Sequence, residues 1–141
     1  MGVIPERARA VLESDGLAHL VTINKDGSPQ VSIVWVGLEG DDIVCAHLLE
    51  QQKLRNVRRD PRVLLSIETQ GTNAIGLREY VVVHGRATVE EGGAPELLQR
   101  LAHTYLGPEV TFPPMPDPPE GFRLRIAVER VGGIGPWAES S

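Results

Sequence analysis

A chain of 141 residues, 41% apolar and 23% charged, suits one globular domain spanning residues 1–141 and is short for two. Its formal net charge of -5 argues against the broad basic surface of a general nucleic-acid binder. No apolar run reaches the roughly 18 residues that would suggest a membrane span. The opening residues MGVIPERARA lack a signal-peptide core, and the single cysteine, Cys45, leaves no internal disulfide, so a cytoplasmic location is expected.

Ile4, Ala8, Val11 and Leu12 recur at helical spacing, with Pro5 suited to the first turn and Asp15-Gly16 to the stop. A strand is predicted over 17–24 (LAHLVTIN), followed by Lys25-Asp26-Gly27-Ser28, a hairpin signal through its Asp-Gly pair. Along the next strand, 29–38, Val31, Ile33 and Trp35 alternate against Gln30, Ser32 and Val34. Residues 39–42 turn the chain into a third strand, 42–48, in which Cys45 is expected to pack as a small apolar side chain. A short helix over 51–59 stops before Pro61, which biases Asp60 out of helical geometry. Strands are predicted over 62–69 and 79–89, around a loop QGTNAIGLR (70–78). A second amphipathic helix opens at Gly92-Gly93-Ala94-Pro95 and aligns Leu97, Leu98, Leu101 and Tyr105 on one stripe. Residues 107–121 hold six prolines and are predicted as an extended loop. A last strand, 122–131, sets Phe122, Leu124, Ile126 and Val128 inward against Arg123 and Arg125. Six strands joined mostly by tight turns predict a mainly β fold, a six-stranded antiparallel barrel with peripheral helices. No glycine-rich nucleotide fingerprint follows a strand.

The helix is where charge gathers: residues 50–62 contain Lys53, Arg55, Arg58, Arg59 and Arg62 in an acidic chain. At about 100° per residue, Arg55, Arg58 and Arg59 share one face. Lys53 lies nearly opposite, beside Val57 and near Leu54, on the side that packs inward. It sits in the first helical turn, where free backbone N–H groups favour an anion, and Gln51 and Gln52 add neutral donors there. This makes Lys53 a candidate phosphate ligand. The three arginines are either solvated surface charges or partners for an anionic ligand segment.

Lys53, three residues, Val57, two residues, then Asp60-Pro61 resembles the Lys-x-x-x-Leu-x-x-Asn/Asp-Pro segment of pyridoxamine 5'-phosphate oxidase-like split β-barrel flavoproteins. With LAHLVTINKDGSPQVSIVWV (17–36), QKLRNVRRDPR (52–62), EYVVVHGRATV (79–89) and IAVERVGGIGPW (126–137), the chain is similar to the branch that uses the 8-hydroxy-5-deazaflavin coenzyme F-420. The resemblance implies an FMN-binding-type split barrel and a homodimer that holds its cofactor at the interface. It assigns Lys53 to the cofactor phosphate and Gln30, Ser32 and Trp35 to the strand lining the ring and ribityl chain. Ala46 and His47 fall near the phosphate, Tyr80 opens the strand on the far side, and Gln51, Arg55 and Trp137 are further expected contacts. Gln52 stands where true pyridoxamine-phosphate oxidases carry an arginine. Without that second cation, FMN is less expected than coenzyme F-420. Arg55, Arg58 and Arg59 then become candidates to attract that coenzyme's oligoglutamate tail.

The implied activity is hydride transfer to an electron-poor small molecule: an activated alkene, a quinone-like compound or an unsaturated lactone. A non-catalytic carrier of the same coenzyme and an FMN-dependent enzyme are the alternatives. No residue is singled out as a proton donor. Of the histidines, His47 maps near the cofactor, whereas His19 and His84 are expected to be packed or edge residues of their strands and His103 to be solvated. No metal-ligand spacing or nucleophile elbow occurs. Trp35 serves either core or cofactor edge, and Trp137 either packs on a barrel or lines the substrate pocket. Phe112 and Met115 of the Pro-rich loop are candidates to rim that pocket.

Overall fold

In the computed structural model, which describes residues 4–138, the chain begins with α1 (Glu6–Leu12), β1 (Ala18–Ile23), β2 (Pro29–Val34), β3 (Gly37–Glu39) and β4 (Asp42–His47). It continues through α2 (Gln52–Arg59), β5 (Arg62–Thr72), β6 (Arg78–Glu91), α3 (Ala94–Tyr105) and β7 (Phe122–Ile134). The strands pair antiparallel in a single sheet of order β2-β1-β5-β6-β7-β4-β3. β2 and β3 therefore lie at opposite ends of the sheet, although only Trp35 and Val36 separate them in the chain. Two residues reach across about 10 Å at most, so the sheet must curl until its two edges meet there. The result is a split β-barrel, mainly β, with three helices at its periphery.

The single strand expected over 29–38 is thus divided. Burial alternates along β2, but Val36, Gly37 and Leu38 are buried in succession, which a continuous pleat cannot do. The chain leaves one edge of the sheet and joins the other at this break. Three strands also run longer than expected. β5 reaches Thr72 and β6 starts at Arg78, leaving 73–77 as the hairpin tip. β7 continues through Gly132 and Gly133 opposite Val82 and Val81. At Gly133, with φ 101°, a Cβ would strike the Tyr80 carbonyl, so residues that look like a chain end in sequence are a close strand contact.

The Asp-Gly hairpin forms as expected. The Gly27 N–H donates to the Asn24 carbonyl at 2.8 Å, and Asn24 N–H to Ser28 O at 2.8 Å, with Gly27 at φ 89°. This is the three-residue loop whose last position needs a left-handed backbone. On β7 the alternation holds through Leu124 and Ile126. His84 then faces Arg130 while Gly85 faces Val128, so Glu129 is an inserted residue and Val131 turns inward.

Leu20, Ile43, Leu54, Leu65, Ile67, Val81, Val83, Leu124 and Ile126 fill the barrel with α1's Ala8 and Leu12. A second cluster forms outside the sheet, where Leu97, Leu98 and Leu101 of α3 cover Val44 and Ala46 of β4. On the outer face of edge strand β2, Val31 and Ile33 stay 62% and 58% exposed.

Candidate functional site

The sequence of α2 puts a cation under the helix. Its buried residues are Lys53, Leu54, Asn56 and Val57, while Arg55, Arg58 and Arg59 are exposed, the division expected from the 100° spacing. Gln51 precedes the helix in extended conformation, and its carbonyl accepts the Leu54 N–H at 3.0 Å. No side chain caps this end, which leaves the Gln52 and Lys53 N–H groups without an intrahelical partner. Lys53 is only 7% exposed, and among the described residues no carboxylate lies within ion-pair distance of it. Burial accordingly pulls its ammonium pKa down, which the neighbouring Cys45 opposes.

Beneath the helix start lies the end of β4. His47 is buried, and burial followed by the Lys53 charge pulls its pKa down to about 3. Its Nε2 is 3.6 Å from the Cys45 Sγ, whose thiol burial pushes up to about 12. Cys45 is a packed, protonated thiol, as expected, and His47 is a neutral imidazole at physiological pH. Lys53 is the only cation of this group.

Lys53, Gln51, His47, Ala46 and Trp35 line one open cleft of about 270 Å³, so five of the sequence-predicted residues come together. Ile33, Val34, Leu98 and Phe112 complete its walls. Trp35 stacks on Tyr105, ring centroids 5.3 Å apart and 11° between planes, and Phe112 packs tilted against it at 5.2 Å. The Tyr105 hydroxyl accepts the Val36 N–H at 3.1 Å and donates to the Gly16 carbonyl at 2.8 Å. The cleft thus has a cationic floor and an aromatic wall. Of the two loop residues expected at its rim, Phe112 is there and Met115 is not among its lining.

The other predicted residues are placed as follows. Gln30, Ser32 and Val34 share the inward-leaning face of β2. The Ser32 Oγ is buried without a hydrogen-bond partner. Gln30 and Gln52 join an amide network: Gln52 Nε2 donates to Asn56 Oδ1 at 2.8 Å, and Asn56 Nδ2 donates to Thr22 Oγ1 at 3.0 Å and Asn24 Oδ1 at 2.9 Å. Gln30 Oε1 lies 3.3 Å from Thr22 Oγ1 and 3.4 Å from Asn56 Nδ2. Arg55 donates to Gln52 Oε1 at 3.0 Å, outside the cleft. Arg58 pairs with Glu50 and covers the Phe122 ring, and Arg59 donates to the Ile23 carbonyl.

Tyr80 and Trp137 do not meet Lys53 within this chain. Tyr80 lines two other surface clefts, one with His84 and Arg130 and one with His19 and Arg78. Trp137 is buried in the barrel core, its Nε1 donating to the Tyr80 carbonyl at 3.0 Å. His19 and His103 are exposed, and His84 sits 2.9 Å from Arg130. Among the described residues no cluster of three or more His, Cys, Asp or Glu side chains is arranged to hold a metal ion. No helix among them is long and apolar enough to cross a membrane.

Residues 4–135 match the family profile of pyridoxamine 5'-phosphate oxidase. The chain belongs to this family. Among solved structures it is similar to an F-420 reductase, with 23% identity and a TM-score of 0.71, covering 92% of this chain and 98% of that one. The conserved hypothetical protein Rv2991 from Mycobacterium tuberculosis is 23% identical, with a TM-score of 0.68 over 94% of this chain and 87% of its own. An FMN-binding protein from Syntrophomonas wolfei is 12% identical, with a TM-score of 0.66 over 92% of this chain and 85% of its own. No protein with a curated function matches the sequence significantly.

As a pyridoxamine 5'-phosphate oxidase family member, the chain has an asymmetric cleft. One buried cation faces neutral His47 and Gln51, and Gln52, beside Lys53 in sequence, turns away toward Asn56 and Arg55. Leu98 of the cleft and Asn56 of the adjoining amide network were not legible in the sequence. Asn56 looks like any polar helix residue until Thr22 and Asn24 are brought against it, and Leu98 carries only the helical core pattern.

Proposed function

We propose that this chain binds a deazaflavin of the coenzyme F-420 type through Lys53 and uses it to reduce an electron-poor small molecule. The observation that carries this reading is the buried, unpaired Lys53 ammonium at the head of α2. A buried charge without a partner costs several kcal/mol, a cost that an anionic ligand relieves. The charge count favours a monoanion. A phosphodiester brings one negative charge and matches one lysine, whereas the phosphate monoester of FMN brings close to two and meets no second cation in the cleft. Orphaned Ser32 Oγ, on the same strand face as the cleft residue Val34, fits a ligand that carries hydroxyl groups. The similarity to an F-420 reductase supports the same choice, and the FMN-binding relative keeps FMN as the comparison to beat.

A bound reduced deazaflavin supplies a hydride, and a proton from water completes the reduction of the acceptor. The chain supplies the rest. Lys53 and the first turn of α2 anchor the phosphate, and Trp35 and Phe112 present flat apolar surface to a planar acceptor. His47, with its pKa near 3, holds no proton to give at neutral pH beyond its neutral N–H. That absence of an acid favours acceptors that solvent can protonate, and it also favours the second reading, a carrier without turnover.

The deciding experiment titrates the purified protein with coenzyme F-420 and with FMN. Tighter binding of the deazaflavin is expected, and Lys53→Met should weaken it by about 30- to 150-fold, the loss of one charge-assisted contact of about 2–3 kcal/mol. Preferential FMN binding would overturn the cofactor assignment. Turnover of the reduced coenzyme with quinones and activated alkenes separates enzyme from carrier.

A further inference from the structure

The Pro-rich segment between α3 and β7 is fastened at mid-span by one side chain. Gln99 of α3 donates from Nε2 to the Val110 carbonyl at 2.8 Å, and its Oε1 accepts the Phe112 N–H at 3.0 Å. The same Nε2 lies 3.0 Å from His103 Nε2, so both amide hydrogens and the carbonyl are committed. Two bonds to loop residues two apart imitate a strand pairing, and a carboxamide, like a peptide unit, carries its donor and its acceptor on separate atoms. Five of the nine residues from Thr111 to Pro119 are proline and have no N–H to give. Among the described residues of that stretch, Phe112 N–H alone is hydrogen-bonded to the rest of the protein.

What this clamp holds is the outer layer of the aromatic wall. Trp35 and Tyr105 form the fixed layer, locked by the hydroxyl bonds to Val36 and Gly16. The Phe112 ring lies against Trp35 at 57° and borders the Lys53 cleft, carried by a loop with one anchor. A flat molecule seated beside Trp35 would come up against this ring, and bulk on such a molecule would collide with it.

We propose that Phe112 determines which molecules the cleft accepts, admitting flat ones and excluding those with bulky ring substituents, and that Gln99 is the positioning residue that sets its place. The substrate half of this proposal rests on the reading of the cleft as a redox site; the positioning half does not. Acrylamide quenching of tryptophan fluorescence tests the positioning half without cofactor or turnover. Trp137 is buried and held elsewhere by Tyr80, so a change reports Trp35. Q99L and F112A should each raise the quenching constant about two-fold, and Q99E, which keeps the shape but loses both donors, should raise it less. The conservative F112L and unchanged circular dichroism guard against a folding defect. Unchanged quenching in all of these variants would overturn the clamp, whether or not a deazaflavin binds.

Specificity is read by comparing menadione with a tert-butyl-substituted benzoquinone, by calorimetric binding and by kcat/KM with reduced coenzyme F-420. F112A should narrow the preference for the flat quinone about ten-fold, and Q99L should do so through KM with kcat little changed. A preference unaltered by F112A in both measurements would overturn Phe112 as the determinant. Failure of the wild type to turn over either quinone counts against the redox reading, while the binding ratio and the quenching still decide this one.

Discussion

His47 is a histidine kept neutral by its surroundings. It packs beside the Cys45 thiol and next to the Lys53 ammonium, and burial first, then that charge, hold its pKa near 3. The unfolded chain takes up a proton there below about pH 6.5. Between these values unfolding binds a proton that the native state refuses, so stability falls as pH falls through the window and is fully present above it. The slope contributed by one such group is up to about 1.4 kcal/mol per pH unit. Thermal melts of His47→Gln should therefore depend less on pH than wild type between pH 6.5 and 4.5. Asp60 and Glu39, whose pKa values Arg62 and Arg125 lower through side-chain hydrogen bonds, are common to both proteins, so their contribution cancels in the comparison. Parallel melting profiles for the two proteins would mean that the native imidazole titrates normally. Helical phase put Lys53 on the inward side of its helix, whereas His47 was singled out only through the family resemblance. Their interaction was not legible, because it exists only once β4 and α2 are packed together.

At the scale of elements, α2 is held by amides as much as by Leu54 and Val57. Asn56 is fully buried and donates to Thr22 of β1 and to Asn24 of the hairpin, while Gln52 of its own helix donates to it. Removing its side chain leaves the Thr22 hydroxyl and the Asn24 carbonyl short of a partner beneath the helix. Asn56→Ala should cost about 2–3 kcal/mol in urea denaturation, the range for an opened buried polar network. It should also weaken ligand binding, because Lys53 rides on the same two turns. A loss below about 0.5 kcal/mol would mean that water replaces these bonds freely. Sequence periodicity located the helix and its inward lysine but gave no sign of the role of Asn56, since its partners lie 32 and 34 residues away. The same blindness to distant pairing let 29–38 pass as one strand: alternation through Trp35 looks continuous, and only the separate pairings of β2 with β1 and β3 with β4 reveal the break.

The whole molecule leaves one side of its site open. The cleft of about 270 Å³ falls just below the 300–1,000 Å³ usual for pockets that enclose a small ligand. One of its lining residues, Ile33, is 58% exposed, and Val31 beside it on the same face is 62% exposed. A β2 edge strand carrying two apolar side chains outward is a surface that proteins normally cover. A second copy of the chain seated on this face would bury both residues and wall the cleft at once, which is the homodimer expected from the family resemblance. Association and ligand affinity should then be linked, because a ligand that prefers the completed cleft pulls monomers together by mass action. Sedimentation velocity of wild type should give about twice the chain mass of 15.4 kDa. Ile33→Glu should give monomers with weakened coenzyme binding. Val31→Lys separates the two effects, since Val31 does not line the cleft: a monomeric Val31→Lys protein that also loses affinity locates the missing wall in the partner. A monomeric Val31→Lys protein that binds the coenzyme as tightly as wild type would show the cleft to be complete within one chain, and the exposed β2 face to serve some other contact.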